Sequence, residues 1–290
     1  MGLLPLTLTL ALLGQVALTP TTPPQLEPAP VTATPFTVNL PVEYVLSIGS
    51  LLTTGIMDSA VKMSLGGVLP CRTLDNGGRC DPATLWSWDR RSLSLQNRAW
   101  SVVSDVGQNL AIAGSAVAVV TDALLHHRGR PGYDAAVDFL VLLESYAIST
   151  AVNQLLKYAV RRPRPQLYKL GSRRGVEAEL SFPSGHTSAA ASTLTAWSTI
   201  FALRHPDKSW RYVPYVLSAG VTGLVAYGRV STPKHFASDV VAAAMLGGII
   251  GFSVPLLHRT WPERQLQVQV IALGQGARPR SVLALSGRWG

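Results

Sequence analysis

The run FPSGHTSAAASTLTAWSTIFALR, residues 182–204, decides the fold of this chain. Pro183 stiffens its start, Ser184 is a candidate helix N-cap, and Gly185 lets the backbone approach a ligand closely. The long stretch that follows carries no charge, which is typical of a buried helix. His186 lies at the mouth of that helix, where the first backbone amides favour an anion.

This run overlaps one of six long stretches of the chain that contain no Asp, Glu, Lys or Arg. They lie at 44–57, 106–121, 145–156, 180–203, 212–228 and 240–258. Their Ala, Leu, Val, Ser and Thr content predicts an all-α, multi-helix bundle. Segment 85–104, which contains three tryptophans, is interpreted as one further, amphipathic helix. The runs fit either membrane spans or buried helices of a soluble bundle, and both alternatives stay open at this point.

The composition excludes two classes of protein. Of the 290 residues, 47% are hydrophobic and only 14% are charged, which is too few charges for a disordered chain or a coiled coil. The formal net charge of +9 permits anionic partners. The basic residues are split among helix ends rather than forming one stripe, so no nucleic-acid partner is expected.

The two ends of the chain differ from its middle. Residues 1–18 form an apolar start with the length of a secretory signal peptide, and the Pro- and Thr-rich residues 19–35 form an expected linker. A helical domain is expected over 36–265. Two apolar segments separated by GQGARPR predict a short, appended β-hairpin-like tail over 266–290.

The two cysteines, Cys71 and Cys80, flank a turn-rich segment. No histidine precedes residue 126, so these thiols have no partners for a zinc site. With an expected export signal, a disulfide in an oxidising compartment is favoured over two free thiols.

A basic cluster, KYAVRRPRP, spans residues 157–165. Lys157 ends one apolar helix pattern, and the prolines that follow prevent the helix from continuing. Arg161, Arg162 and Arg164 crowd the exit. Positive charges so close together repel one another unless an anion lies among them.

A second polar cluster, GRVSTPKHFASD, spans residues 228–239. His235 and Asp239 are four residues apart at the start of a helix, so they share a face. Asp239 is expected to accept the proton of one imidazole nitrogen, which leaves the other nitrogen free as a nucleophile. Because successive helices alternate in direction, Lys157, His186 and this pair are predicted to meet at one end of the bundle.

Together these clusters resemble the type 2 phosphatidic acid phosphatase superfamily, which also contains bacterial acid phosphatases and vanadium haloperoxidases. The family pattern is K-x6-R-P, then P-S-G-H, then S-R-x5-H-x3-D. It is matched by Lys157–Arg164–Pro165, by Pro183–Ser184–Gly185–His186 and by Arg229–His235–Asp239. One residue departs from the pattern, since Gly228 stands where the family usually has Ser. That glycine puts a hydroxyl contact to the ligand at this position in doubt.

The resemblance implies a metal-independent phosphatase without a cofactor. It implies that His235 is the nucleophile that forms a phosphohistidine, that Asp239 orients it, and that His186 is the general acid and then the base. The implied ligands of the phosphoryl oxygens are Lys157, Arg164, Ser184, Gly185 and Arg229. Arg161, Arg162, Arg173 and Arg174 lie outside the motifs, and a solvated loop is expected for them.

The expected substrate is a phosphomonoester or a pyrophosphate, with lipid phosphates favoured because their tails could lie along apolar helices. Two alternatives stay open. One is a vanadium haloperoxidase, in which vanadate would be the cofactor, because vanadate mimics phosphate in the same site. The other is a non-catalytic protein that binds anions or lipid head groups.

The loops away from the motifs suggest a location. They carry Arg128, Arg130, Arg204, Lys208, Arg211, Arg259 and Arg264. Cytoplasmic loops of membrane proteins are basic in this way. The expected location is the cell envelope, and a multi-pass membrane protein with an extracytoplasmic active site is favoured slightly over a soluble periplasmic protein.

Overall fold

A computed structural model describes residues 35–61, 71–74, 79–126, 130–170, 176–260, 266–273 and 280–287. The chain divides into two units. One comprises Thr32–Arg259, and the other comprises Met1–Val31 with Thr260–Gly290. The predicted signal peptide and all of the predicted linker except its last residue lie outside the described residues.

Eight α-helices lie in the described part of the first unit. They are α1 (Leu40–Ile56), α2 (Ser87–Arg90), α3 (Ala99–Leu125), α4 (Pro131–Val160), α5 (Pro165–Leu170), α6 (Gly185–Arg204), α7 (Val213–Ser231) and α8 (Ala237–Leu257). A π-helical turn, Met57–Val61, continues α1, and short 3₁₀ turns lie at Pro82–Thr84, Arg91–Leu93, Val176–Glu179 and Ser209–Tyr212. The predicted helical bundle is confirmed.

The single amphipathic helix predicted over 85–104 is wrong. Helix α2 and the 3₁₀ turn after it end at Leu93, and α3 begins at Ala99. Between them, the side-chain Oδ1 of Asn97 accepts a hydrogen bond from the Ala99 amide at 3.1 Å. Asparagine side chains that bind backbone amides in this way favour a new start over a continued helix.

Helix α6 is the centre of the bundle and packs against α3, α4, α7 and α8. Most of its buried residues are Ala, Ser or Thr. Where α8 crosses it, a Cβ atom at Gly247 or Gly251 would lie 2.3 Å from the carbonyl oxygen of Ser188 or Ser192, respectively. The two helices therefore approach backbone to backbone, which only small residues permit.

The bundle exposes more apolar surface than a water-soluble protein does and also buries charged groups. Large apolar side chains such as Val45, Leu110 and Ile249 are exposed, whereas the interior holds a buried ion pair between Asp138 and Arg204. Among the residues that the structure describes, four helical segments are long and apolar enough to cross a membrane: Leu40–Ala60, Ala99–Leu125, Pro131–Lys169 and Ala237–Leu257. An apolar exterior around polar contacts is the pattern expected of a membrane protein.

In the second unit, the strands β1 (Leu266–Leu273) and β2 (Arg280–Gly287) pair in antiparallel register. Residues 274–279 between them, and the side chains of both strands, lie outside the described part. The predicted hairpin-like tail stays a prediction.

Substituting Gly247 by Ala should lower the free energy of unfolding by about 1–3 kcal/mol, because the added methyl group meets a backbone carbonyl that cannot move aside. Gly248→Ala is the matched control, since a Cβ there meets nothing within 4 Å. Removing a helical glycine without a clash should raise stability by up to about 1 kcal/mol. Thermal unfolding of the purified protein in detergent compares the two. Equal shifts would contradict the close packing of α6 and α8.

Candidate active site

The ends of α4 and α7 and the starts of α6 and α8 meet at one end of the bundle. Two backbone contacts define this meeting point: the Ser184 amide donates to the Asp239 carbonyl at 3.2 Å, and the Ser181 amide donates to the Arg162 carbonyl at 2.8 Å. The three sequence clusters therefore lie side by side, although about 80 residues separate the first from the last.

His235 lies in the connector before α8 and is 2% exposed. Its Nδ1 is 2.6 Å from the carbonyl oxygen of Ser181. A carbonyl only accepts hydrogen bonds, so Nδ1 carries the ring proton and the lone pair lies on Nε2. Burial and the positive charges of Arg164, Arg229 and Lys157 hold the pKa of His235 well below its usual 6.5, so the ring is neutral near pH 7.

Asp239 does not take the imidazole proton, so that expectation is wrong. Its nearest oxygen is 3.8 Å from Nδ1 of His235. The same oxygen accepts the Ser181 hydroxyl at 2.5 Å and the Phe236 amide at 2.8 Å. Asp239 is the third residue of α8, a position from which a carboxylate reaches back to the first free amide of its helix. It therefore fixes Ser181, and Ser181 in turn orients His235.

Arg162 joins this network, so the solvated loop expected for it is also wrong. Its guanidinium donates to Asp239 Oδ1 at 2.6 Å, to the Ser238 hydroxyl at 2.5 Å and to Asp89 Oδ2 at 2.7 Å. Asp89 is fully buried and also accepts the Ser238 amide at 3.0 Å. The guanidinium lies 4.4 Å from the centre of the Phe236 ring. Arg162 therefore bridges two buried carboxylates behind the histidine.

The sequence also predicts a solvated loop for the other three arginines outside the motifs, Arg161, Arg173 and Arg174. Arg161 donates to Glu179 Oε2 at 2.6 Å, and Glu179 is buried, so Arg161 is a partly exposed partner of a buried carboxylate rather than a solvated loop residue. Arg173 and Arg174 lie outside the described residues.

His186 stands at the first turn of α6 with its ring partly exposed. Its Nε2 is 2.9 Å from Oδ1 of Asp105, and Nη1 of Arg229 is 3.0 Å from the same oxygen. Asp105 comes from α3 and is half-exposed. It therefore fixes the ring of His186 and links it to a predicted phosphate ligand.

Arg164 and Arg229, the two arginines of the family motifs, carry N–H donors that make no hydrogen bond within the described part of the chain. Arg164 donates to Glu177 at 3.1 Å, and Arg229 donates to Asp105 at 3.0 Å. The Nε of Arg164 and that of Arg229 are buried, and neither has a hydrogen-bond partner among the residues that the structure describes. Buried N–H groups without partners are costly, so an acceptor is expected beside them.

The start of α6 makes room for a third cation. A Cβ atom at Gly185 would lie 3.2 Å from Nζ of Lys157, so the missing side chain leaves space for the ammonium group. Ser184 is the N-cap residue of α6 and is buried. Its side chain does not cap the helix but accepts the Thr187 hydroxyl at 3.1 Å.

The packing of α7 on α3 explains why residue 228 is a glycine rather than the serine of the family pattern. A Cβ atom at this position would lie 2.7 Å from Cβ of Ser104 and 2.8 Å from the carbonyl oxygen of Trp100, both on α3. Helix α7 thus packs too closely on α3 for a serine at residue 228. The Ser104 side chain fills that space, and its buried hydroxyl has no hydrogen-bond partner within the described ranges.

The disulfide between Cys71 and Cys80 lies next to this region. Cys80 is buried and packs in one apolar cluster with Leu167, Tyr168 and Phe236. Its amide also donates to the Leu167 carbonyl at 3.2 Å. The bridge therefore ties the segment before α2 to the apolar support of the His235–Phe236 connector.

Sequence reasoning missed Asp89, Asp105 and Ser181. Asp89 and Asp105 lie in segments without a motif. Ser181 is adjacent to the PSGH motif, but it acts on His235 through its backbone carbonyl, which no residue type encodes. Arg162 lies beside Arg164 in the sequence, but only its contacts with buried carboxylates in the structure show that it belongs to the network behind His235.

The family model of the PAP2 superfamily matches residues 138–263. This range contains all three motifs, and the resemblance drawn from them is confirmed. Helices α1 and α3, with Asp105, precede the matched range.

Three curated relatives align with the chain, and two of them are phosphatases from different genera. Phosphatidylglycerophosphatase B of Bacillus subtilis (strain 168) is 30% identical over 124 residues, which cover 42% of this chain and 59% of the relative. Lipid A 1-phosphatase of Rhizobium johnstonii is 29% identical over 171 residues, which cover 52% of this chain and 66% of the relative. The chain thus spans less than two thirds of either relative.

A solved structure is also similar. It is a transmembrane PAP2 type phosphatidylglycerolphosphate phosphatase from Bacillus subtilis, with a TM-score of 0.45 and 19% sequence identity. The match covers 74% of this chain and 94% of that one.

Substituting Arg162 by Gln should lower the free energy of unfolding by about 3–5 kcal/mol, because two buried carboxylates lose their positive partner. Arg162→Lys retains the charge and should lose less. Arg164→Gln is the matched control, since its partner Glu177 is half-exposed and its loss should cost less than about 1 kcal/mol. Denaturant unfolding in detergent measures all three. Similar losses for Arg162→Gln and Arg164→Gln would contradict the network.

Proposed function

Because residues 138–263 match the PAP2 superfamily, we propose that this chain is a phosphatase that hydrolyses phosphomonoesters or pyrophosphates, above all those of lipids, through a phosphohistidine. One observation carries the proposal. A buried, neutral histidine has its lone pair fixed on Nε2 by the Ser181 carbonyl, within a group of three cations of which two retain unused donors.

In the first step, Nε2 of His235 attacks phosphorus. The N–P bond forms as the bond to the leaving oxygen breaks, and His186 gives that oxygen a proton. Burial and the positive charge of Arg229 lower the pKa of His186 to about 4, so its ring takes up this proton together with the negatively charged phosphate. In the second step, His186, now neutral, takes a proton from water. The water oxygen attacks phosphorus, the N–P bond breaks, and phosphate leaves with His235 restored.

The charges of the site suit this reaction without a metal. Phosphoryl transfer needs in-line positioning and neutralisation of the equatorial oxygens. Lys157, Arg164 and Arg229 are three positive charges around His235, and the first amides of α6 add their partial charges. The carboxylate of Asp239, 3.8 Å from Nδ1, stabilises the positive ring of the intermediate.

Lipid phosphates are the proposed substrate class. The site lies at one end of a bundle with an apolar exterior, so the tail of a lipid could stay in the membrane while its phosphate reaches the cations. The two curated relatives are named for phosphatidylglycerophosphate and for lipid A.

The proposed location is a membrane of the cell envelope, with the active site outside the cytoplasm and a signal peptide at the start of the chain. Arg130, Lys208, Arg211 and Arg259 support this orientation, because they lie at the end of the bundle away from the site.

The full chain in detergent should release phosphate from phosphatidate and from an isoprenoid pyrophosphate with EDTA present. His235→Ala should lower kcat by at least about 10³-fold, because the nucleophile is lost. His126→Ala, at the far end of the bundle, is the matched control and should retain activity. An acid-labile, base-stable phosphoenzyme should form with His235 and be absent without it. Activity that disappears with EDTA, or that survives His235→Ala, would contradict the mechanism.

The orientation is tested with single cysteines, because both native cysteines are in the disulfide. Ser94 is exposed beside the site, and Ser209 is exposed at the other end. A membrane-impermeant maleimide should label Ser94→Cys in intact cells and Ser209→Cys only after permeabilisation. The reverse pattern would place the site in the cytoplasm.

A further inference from the structure

A polar cavity of about 190 Å³ opens beside the proposed site. Lys157, Gly185 and His186 line one side of it. The other lining residues come from α1, α3 and α4 and, with Ala189, from α6, and most of them carry amides or hydroxyls. It is separate from a larger, mostly apolar cavity of about 440 Å³ between α6, α7 and α8.

Two buried amide side chains in the lining have unused hydrogen-bonding atoms. Asn153 is 2% exposed, and its Nδ2 has no partner among the residues that the structure describes. Gln154 is 8% exposed. Its Nε2 donates to Asp58 at 3.0 Å, whereas its Oε1 has no partner within the same ranges. One unused donor and one unused acceptor therefore belong to two neighbouring residues that line the same cavity. Buried amide groups rarely lack hydrogen-bond partners. These two therefore indicate an occupant of the cavity that both donates and accepts hydrogen bonds.

We propose that this cavity holds the leaving group of the substrate, and that the preferred leaving group is an alcohol with further hydroxyls, such as a glycerol or a sugar, so that phosphatidate and an isoprenoid pyrophosphate are poorer substrates. The inference rests on the proposed phosphatase function. His186 lines the cavity and is the proposed proton donor to the leaving oxygen, so the remainder of the leaving group extends towards Asn153 and Gln154. A hydroxyl both donates and accepts, as these two amides require.

The shape of the cavity supports this assignment over an acyl chain. Its volume suits a polyol or one sugar ring, and an acyl chain would leave both amides unpaired. Gln108 faces the same space from α3 and adds a third amide. Acyl chains have the apolar exterior of the bundle available instead.

The test uses pairs of phosphates of matched size with the full chain in detergent. Glycerol 1-phosphate is compared with propyl phosphate, and glucose 6-phosphate with cyclohexylmethyl phosphate. In at least one pair, kcat/KM should be about tenfold higher for the hydroxylated member, and the pair that responds identifies a polyol or a sugar. Asn153→Leu keeps the volume, removes the hydrogen bonds and should bring that ratio close to one.

Asn109→Leu is the matched control, because it makes the same change on the exposed face of α3 and should keep the ratio. Gln108→Leu, which is only half-buried, replaces Asn153→Leu if the latter fails to fold. A wild-type ratio near one in both pairs would overturn the inference, since the cavity would then hold only water. A ratio unchanged by both cavity variants would also overturn it.

A binding measurement separates this inference from the proposed function. The His235→Ala protein cannot form the phosphoenzyme, so the thermal shift produced by each phosphate reports binding alone. A larger shift with glycerol 1-phosphate than with propyl phosphate, or with the sugar phosphate than with its ring analogue, supports the cavity even if no substrate is hydrolysed. Equal shifts within both pairs overturn it.

Discussion

The close approach of α6 and α8 is the constraint on which the site depends. Gly247 and Gly251 allow the backbone of α8 to touch that of α6, and the starts of these two helices carry His186 and Asp239. The Ser184 amide then reaches the Asp239 carbonyl, and Ser181 comes within hydrogen-bonding distance of His235. A bulky residue at either glycine would separate the two helices and, with them, the proposed acid and nucleophile.

The carboxylates around the histidines have distinct tasks. Asp239 and Asp89 hold Arg162 and the start of α8 behind His235, whereas Asp105 holds His186 in front of it. None of these three carboxylates accepts a hydrogen bond from the ring of His235. The carbonyl of Ser181 does so and fixes the tautomer, while burial and the neighbouring cations keep the pKa of the ring low.

The helical bundle and the convergence of the motifs could be predicted, because charge-free runs and the order of Lys157, His186 and His235 are properties of the sequence itself. The environment of each side chain could not. Arg162 is interpreted from sequence as a solvated residue because its partner Asp89 is 73 positions away in a segment without a motif. The partner of His235 is a backbone atom, and the start of α3 depends on one asparagine side chain.

Ser104 and Gly228 share one volume between α3 and α7. The two positions are therefore epistatic: whether a serine is tolerated at residue 228 depends on what residue 104 already is. A chain that acquired the serine first would have to separate the two helices, and Arg229 would move with them away from Asp105. The order in which these two residues can mutate is thus set by packing rather than by the chemistry of phosphate.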